Sequence, residues 1–154
     1  MRASDLAEPF PVTVPDTDAL QAALMMAENG QPGLIVCSED GQPYTVLAGP
    51  ALLRALLPAY LQDDPALARA LDERASDELF RTLAHRTVRD LLPRPSERDE
   101  LPVVDADATA LEVAAVMARM GSPLVAVMDG DRVIGAITVS QLLGHLLPAT
   151  PEQP

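Results

Sequence analysis

Asp107-Ala108-Thr109-Ala110-Leu111 follows Asp16-Thr17-Asp18-Ala19-Leu20 at an offset of 91 residues. The offset holds through Gly30 and Gly121, Pro32 and Pro123, and Val36 and Val127. It then falls to 90, aligning Leu47 with Ile137, Leu52-Leu53 with Leu142-Leu143, and Leu56-Leu57-Pro58 with Leu146-Leu147-Pro148. The slip lies in a polar turn, where one residue more or less costs little. The chain therefore carries two copies of a unit of about 47 residues. A unit of that size is marginal alone, so the copies are expected to bury apolar faces against one another.

Each copy reads as strand, helix, strand, strand, helix. Phe10 to Val14 is β-prone and Pro15 closes it. Asp18, with Gln21 three residues on, is placed to cap a helix, and Thr109 with Glu112 makes a fuller capping box in the second copy. Leu20, Leu24 and Ala27 recur at helical spacing, as do Leu111, Ala115 and Ala118; the small alanines suit a helix lying close on a sheet. Gly30 and Gly121 stand where a left-handed residue ends a helix, and Pro32 and Pro123 return the chain to extended conformation. Leu34-Ile35-Val36-Cys37 and Leu124-Val125-Ala126-Val127-Met128 are apolar runs that suit strands covered on both faces. Glu39-Asp40-Gly41 and Asp129-Gly130-Asp131 read as hairpin turns, returning along Tyr44 to Leu47 and Arg132 to Thr138.

Between the copies, Asp64-Pro65 can start a helix, and Leu67, Leu71, Leu79 and Leu83 predict one apolar stripe along it. Its other faces carry Asp72, Glu73, Arg74, Asp77, Glu78 and Arg81, so it could pack on the module, bind a partner or line a dimer interface. Thr87-Val88-Arg89-Asp90-Leu91 carries a capping-box pattern and reads as a lead-in helix to the second copy, echoed by Asp5-Leu6 near the amino terminus. The expected fold class is α/β (α+β): two βαββα repeats with pseudo-two-fold symmetry, joined by a helical linker. The first repeat with its lead-in helix spans 1–58, the linker 59–86, the second repeat with its lead-in helix 87–148, and a disordered tail 149–154.

Hydrophobic residues make up 48% of the 154 and aromatics only 3%, so the core is built from Leu, Val, Ile, Ala and Met. Net charge is −12, and all 11 basic residues are Arg. Such a chain repels nucleic acid and anionic membrane surfaces, while a small nucleotide needs only a local pocket. The single Cys37 cannot form an internal disulfide, which suits a reducing compartment. Met1-Arg2-Ala3-Ser4-Asp5 lacks the apolar core of a signal peptide, and Arg54 and Pro58 interrupt the run from Ala51 to Leu61 well short of a membrane span. A cytoplasmic protein without membrane insertion is expected. No phosphate loop, metal-ligand pair or nucleophile with a nearby base is present, so no catalytic or metal site and no required cofactor is expected. Cys37 reads as a core thiol, His85 and His145 as surface residues, and Met25, Met26, Met117 and Met120 as core or interface filler.

The tandem of strand-helix-strand-strand-helix units resembles the cystathionine-β-synthase-type (CBS) domain pair, or Bateman module. In the second copy the likeness rests on Asp107 to Ala114, Met120 to Val127 and Gly135 to Leu142, and Thr87 to Leu91 looks like the family's entry helix. It extends over nearly the whole chain. The resemblance implies two sheets packed face to face about a pseudo-two-fold axis and a flat homodimer. It also implies an adenosine-type ligand (AMP, ADP, ATP or S-adenosylmethionine) in clefts between the repeats, through which an enzyme or transporter is regulated. With no catalytic or transport domain in this sequence, regulation is expected to act in trans on a protein partner.

The family's binding signature, Gly-x-x-Thr/Ser-x-x-Asp, lies where the last strand meets the last helix. There a helix amino terminus and a hydroxyl can hold phosphate, and a carboxylate one turn on can grip ribose hydroxyls. In the second copy Gly135 and Thr138 are in place and Gln141 occupies the carboxylate position, weakening the diol contact by about 1–2 kcal/mol. In the first copy Thr45, Ala48 and Ala51 fill the three positions and Pro50 alters the helix entry, so Pro32, Ala48 and Ala51 mark a degenerate cleft. Asp105, Ser122, Pro123 and Leu124 match segments that wall the cleft in the family; strand-edge and turn packing is their alternative role, and helix capping that of Thr138. The expected function is a regulatory module sensing an adenosine-type ligand at the second-repeat cleft. The alternative is a ligand-free dimerising adaptor, motivated by Ala48, Ala51 and Gln141.

Overall fold

The structure, a computed structural model, describes residues 1–98 and 100–148. The tail expected at 149–154 lies outside the described residues. The chain opens with α1 (Ala3–Leu6), β1 (Val12–Thr13), α2 (Ala19–Asn29), β2 (Gly33–Cys37), β3 (Pro43–Ala48), α3 (Gly49–Leu56) and α4 (Ala59–Asp63). A 3-10 turn (Pro65–Ala70), α5 (Glu73–Arg81), a second such turn (Thr82–His85), α6 (Val88–Leu91) and a third turn (Pro95–Glu97) follow. The second copy supplies β4 (Val103–Asp105), α7 (Ala110–Met120), β5 (Leu124–Asp129), β6 (Arg132–Thr138) and α8 (Val139–Leu146).

The α/β class and the duplication are realised as two three-stranded sheets of equivalent order, β1-β2-β3 and β4-β5-β6. In each, the first two strands run parallel, Val12 opposite Ile35 and Val103 opposite Ala126, and a helix makes the crossover between them. β6 returns antiparallel to β5 with Leu124 opposite Thr138 and a bulge between Val127 and Met128. Gly30 and Gly121 take left-handed conformations (φ 59° and 62°) and end α2 and α7.

The chain forms two compact units that cut across the sequence copies. One comprises Pro11–Glu39 and the chain from Tyr44 up to Glu100. Its core joins Leu34 and Val36 of β2, Leu47 of β3 and Leu52 and Leu56 of α3 to Ala19, Ala22, Leu83, Val88 and Leu91. The other comprises Met1–Phe10, Asp40–Pro43 and residues 100–148. Its core joins Val104, Val125, Val127 and Ile137 of the sheet to Ala3, Leu6, Val113, Met117 and Leu142.

Segments 1–58 and 87–148, each with its own lead-in helix, are therefore not the compact units. Each lead-in helix packs with the other copy. The Ala3 and Ser4 amides donate to the Ala108 and Ala106 carbonyls at 2.7 and 3.0 Å, and the Val88 and Arg89 amides donate to those of Thr17 and Pro15 at 2.9 and 3.0 Å. A four-residue helix has no stability of its own, and these equivalent bonds give each one a template.

Other expectations need correction. The stripe of Leu20, Leu24 and Ala27 and its counterpart at Leu111, Ala115 and Ala118 face outward, with Leu20, Leu24 and Leu111 42%, 52% and 73% exposed. α2 buries Ala19 and Ala22 instead, and α7 buries Val113 and Met117. Both helices are apolar on more than one side, so periodicity identifies a helix without choosing the face that meets the sheet. Asp18 makes no side-chain cap bond, its backbone being bridged to Thr87, whereas the Thr109 hydroxyl accepts from the Glu112 amide at 3.1 Å. The linker is not one amphipathic helix. It breaks at Leu71, which is extended, and restarts where the Asp72 carboxylate accepts from the Ala75 amide at 2.9 Å. Leu67 and Leu71 are consequently exposed while Leu83 is buried.

Thr13, 5% exposed and paired with Val36 across β1 and β2, has a hydroxyl with no hydrogen-bond partner among the described residues. Thr13→Val keeps the shape and removes an unsatisfied polar group, so it is expected to raise the unfolding free energy by about 1 kcal/mol in urea titration.

Candidate functional site

The second-copy residues meet where β6 runs into α8. Thr138 is extended (φ −91°, ψ 159°) and caps α8; its hydroxyl accepts from the Gln141 amide N–H at 3.3 Å. The Gln141 Oε1 in turn accepts from the Thr138 N–H at 2.9 Å. The two candidate ligand residues thus form a closed capping box. The Thr138 hydroxyl keeps its proton for one donation, and the Gln141 amide keeps its NH2 group. The site can donate hydrogen bonds to an oxyanion, but it offers no side-chain carboxylate to a diol.

Ser122, Pro123 and Leu124 adjoin this junction. Leu124 lies opposite Thr138, and the Val139 amide donates to the Pro123 carbonyl at 2.9 Å. The Ser122 hydroxyl turns back to the Leu124 carbonyl at 2.7 Å, fixing the entry to β5. Pro123 is exposed, Leu124 buried, and Ser122, Thr138 and Gln141 half-buried. The result is a small, partly open patch with an apolar edge and a helix amino terminus.

Asp105 and Gly135 are not part of it. Asp105 lies opposite Met128, at the far end of β5 from Leu124 and about 13 Å away along the strand. Gly135 lies opposite Val127, and a Cβ there would stand 2.5 Å from the Glu8 carbonyl oxygen. Its bareness admits the amino-terminal segment, whose Glu8 exchanges two 3.0 Å hydrogen bonds with Ala136. The echo of Asp5-Leu6 in Asp90-Leu91 was the sequence signal for this segment, though not for where it docks.

The first-copy junction repeats the scaffold without the polar groups. The Gly49 amide donates to the Pro32 carbonyl at 3.0 Å, as Val139 does to Pro123. Ala48 caps α3 with no side-chain bond, Pro50 lies in its first turn, and Ala51 follows half-buried. Beside it is a hollow of about 480 Å³ with an apolar lining that includes Met26, Ala27, Pro32, Pro50 and Leu53.

Burial raises the pKa of the Cys37 thiol and so holds it protonated at neutral pH, and His85 and His145 are exposed. Among the described residues, no three His, Cys, Asp or Glu side chains are grouped to hold a metal ion. No helix among them is long and apolar enough to cross a membrane.

The family model described as CBS domain matches residues 88–148. A CBS domain-containing protein of unknown function from Kribbella flavida DSM 17836 is similar at 48% identity and a TM-score of 0.85, over 96% of this chain and 100% of that one. The CBS domain of a CBS domain-containing membrane protein from Sphaerobacter thermophilus is similar in fold at 21% identity and 0.72, over 96% and 88%. CBSX2 of Arabidopsis thaliana in complex with AMP is similar in fold at 18% identity and 0.61, over 94% of each chain. No curated protein matches the sequence.

Gly135→Ala forces the Glu8 backbone off β6 and is expected to lower unfolding stability by about 1–3 kcal/mol. Accelerated hydrogen exchange at the Ala136 amide would locate the damage there.

Proposed function

The chain belongs to the CBS-domain family, and we propose that it is a regulatory CBS pair that senses an adenosine-type ligand through Ser122, Pro123, Leu124, Thr138 and Gln141. The observation carrying this reading is the Thr138–Gln141 junction. A hydroxyl with a free proton caps an eight-residue helix beside the exposed edge of Pro123. Phosphate suits the helix amino terminus and the hydroxyl, and a ribose or base suits the apolar edge. AMP, ADP, ATP and S-adenosylmethionine are the ligands to test. The crystal structure of CBSX2 with AMP supports that choice. The protein binds without catalysing a reaction and passes its occupancy to a protein partner. The outward apolar stripes at Leu20, Leu24 and Leu111, with Leu143 and Leu147, support a homodimer, since helix faces this apolar favour an isologous partner.

One observation favours a second reading, a ligand-free dimerising adaptor: the capping box already occupies Thr138 and Gln141, and Ala48 and Ala51 offer nothing in the first copy.

Thermal-shift and calorimetric titration separate the two. A ligand at one hundred times its Kd is expected to add about 2.7 kcal/mol of stability. Thr138→Val should remove that gain relative to its own ligand-free Tm, and Thr138→Ser should keep it. A flat response to all four ligands at millimolar concentration decides for the adaptor. In sedimentation, Leu24→Glu combined with Leu111→Glu is expected to convert a dimer to monomers.

A further inference from the structure

We propose that the recess between α3 and the segment leading from α6 into the Pro95–Glu97 turn binds a small oxyanion of the phosphate class, gripped by Arg54 and Arg94. It lies within one compact unit, apart from the Thr138 junction, and does not depend on that reading.

In a chain of net charge −12, arginines have carboxylates in excess to pair with. Arg74 and Arg89 do so, with Glu78 and Asp16. Arg2, Arg86 and Arg98 donate to the backbone carbonyls of Asp107, Ala55 and Pro93. The side chains of Arg54, Arg69, Arg81, Arg94, Arg119 and Arg132 have neither kind of partner among the described residues, and of these Arg54 and Arg94 line one recess of about 350 Å³. Ala51, Leu92 and Pro93 supply the apolar part of its wall, and the charged residues supply the polar remainder. The planar fork of each arginine suits an oxyanion.

The acidic groups nearby leave room for an anion. Asp90 is turned toward its own helix, accepting from the Thr87 amide at 3.0 Å and hydroxyl at 3.3 Å. Glu97 remains as the competing charge on the lining. Ala51 stands one turn before Arg54 on the same face of α3, so a carboxylate there would lie beside that guanidinium and neutralise it. Alanine removes a diol-gripping group and at the same time leaves the arginines open to an external anion.

Inorganic phosphate titrated into the full chain in phosphate-free buffer, followed by heteronuclear NMR, tests the proposal. Phosphate and AMP are expected to shift the amide signals of Ala51 to Ala55 and Leu92 to Arg94 saturably in the millimolar range, and adenosine to leave them still. Arg54→Ala, Arg94→Ala and Ala51→Asp should each weaken phosphate about tenfold, and Glu97→Gln should tighten it severalfold. Thr138→Val should change nothing here, which separates this site from the adenosine reading. No saturable phosphate shift, equal shifts in both arginine variants, or equal shifts with adenosine would each overturn the proposal.

Discussion

Four backbone hydrogen bonds hold the two lead-in helices in place, and much of the architecture follows from them. Ala3 and Ser4 lean on Ala108 and Ala106, and Val88 and Arg89 on Thr17 and Pro15. The donors are the free amides of a helix amino terminus, and the acceptors lie in the short turn between a first strand and its crossover helix. Neither partner is stable alone. Once joined, they place Leu6 in one core and Val88 and Leu91 in the other. Each compact unit is therefore completed by a segment that precedes the other sequence copy.

That exchange reaches the candidate site. Because α1 is seated on the second copy, the chain after it runs along β6, and Glu8 pairs with Ala136 at an otherwise open edge. That isolated bridge occupies the backbone groups of the edge at Ala136. Gly135 is the residue that makes the approach possible. A glycine that the family resemblance assigns to ligand binding thus has a sufficient structural reason of its own. Thr138 and Gln141 combine the two demands differently, since one capping box both starts α8 and orients the donors that remain.

The copies diverge in chemistry while agreeing in scaffold. The carbonyls of Pro32 and Pro123 accept from equivalent amides, so the strand-to-helix corner is built the same way twice. On that corner the second copy carries a hydroxyl and an amide, and the first carries alanines, Pro50 and an apolar hollow. Further along α3, Arg54 lines a different recess together with Arg94, which follows α6.

The sequence by itself determined the elements and their order. Gly30 and Gly121 end helices because a left-handed residue without a Cβ is a local requirement. Thr109 and Thr138 start them because a hydroxyl reaches an amide three residues on, and the apolar runs form the central strands. All of these act over a few residues. The tertiary structure alone decided which face of α2 and α7 meets the sheet, which copy each lead-in helix joins, and that Asp105 stands apart from Thr138. It also ended the linker helix at Leu71 and brought Arg54 and Arg94 to one recess. Those outcomes depend on contacts between residues distant in sequence, among several faces and partners that local pattern leaves equally acceptable.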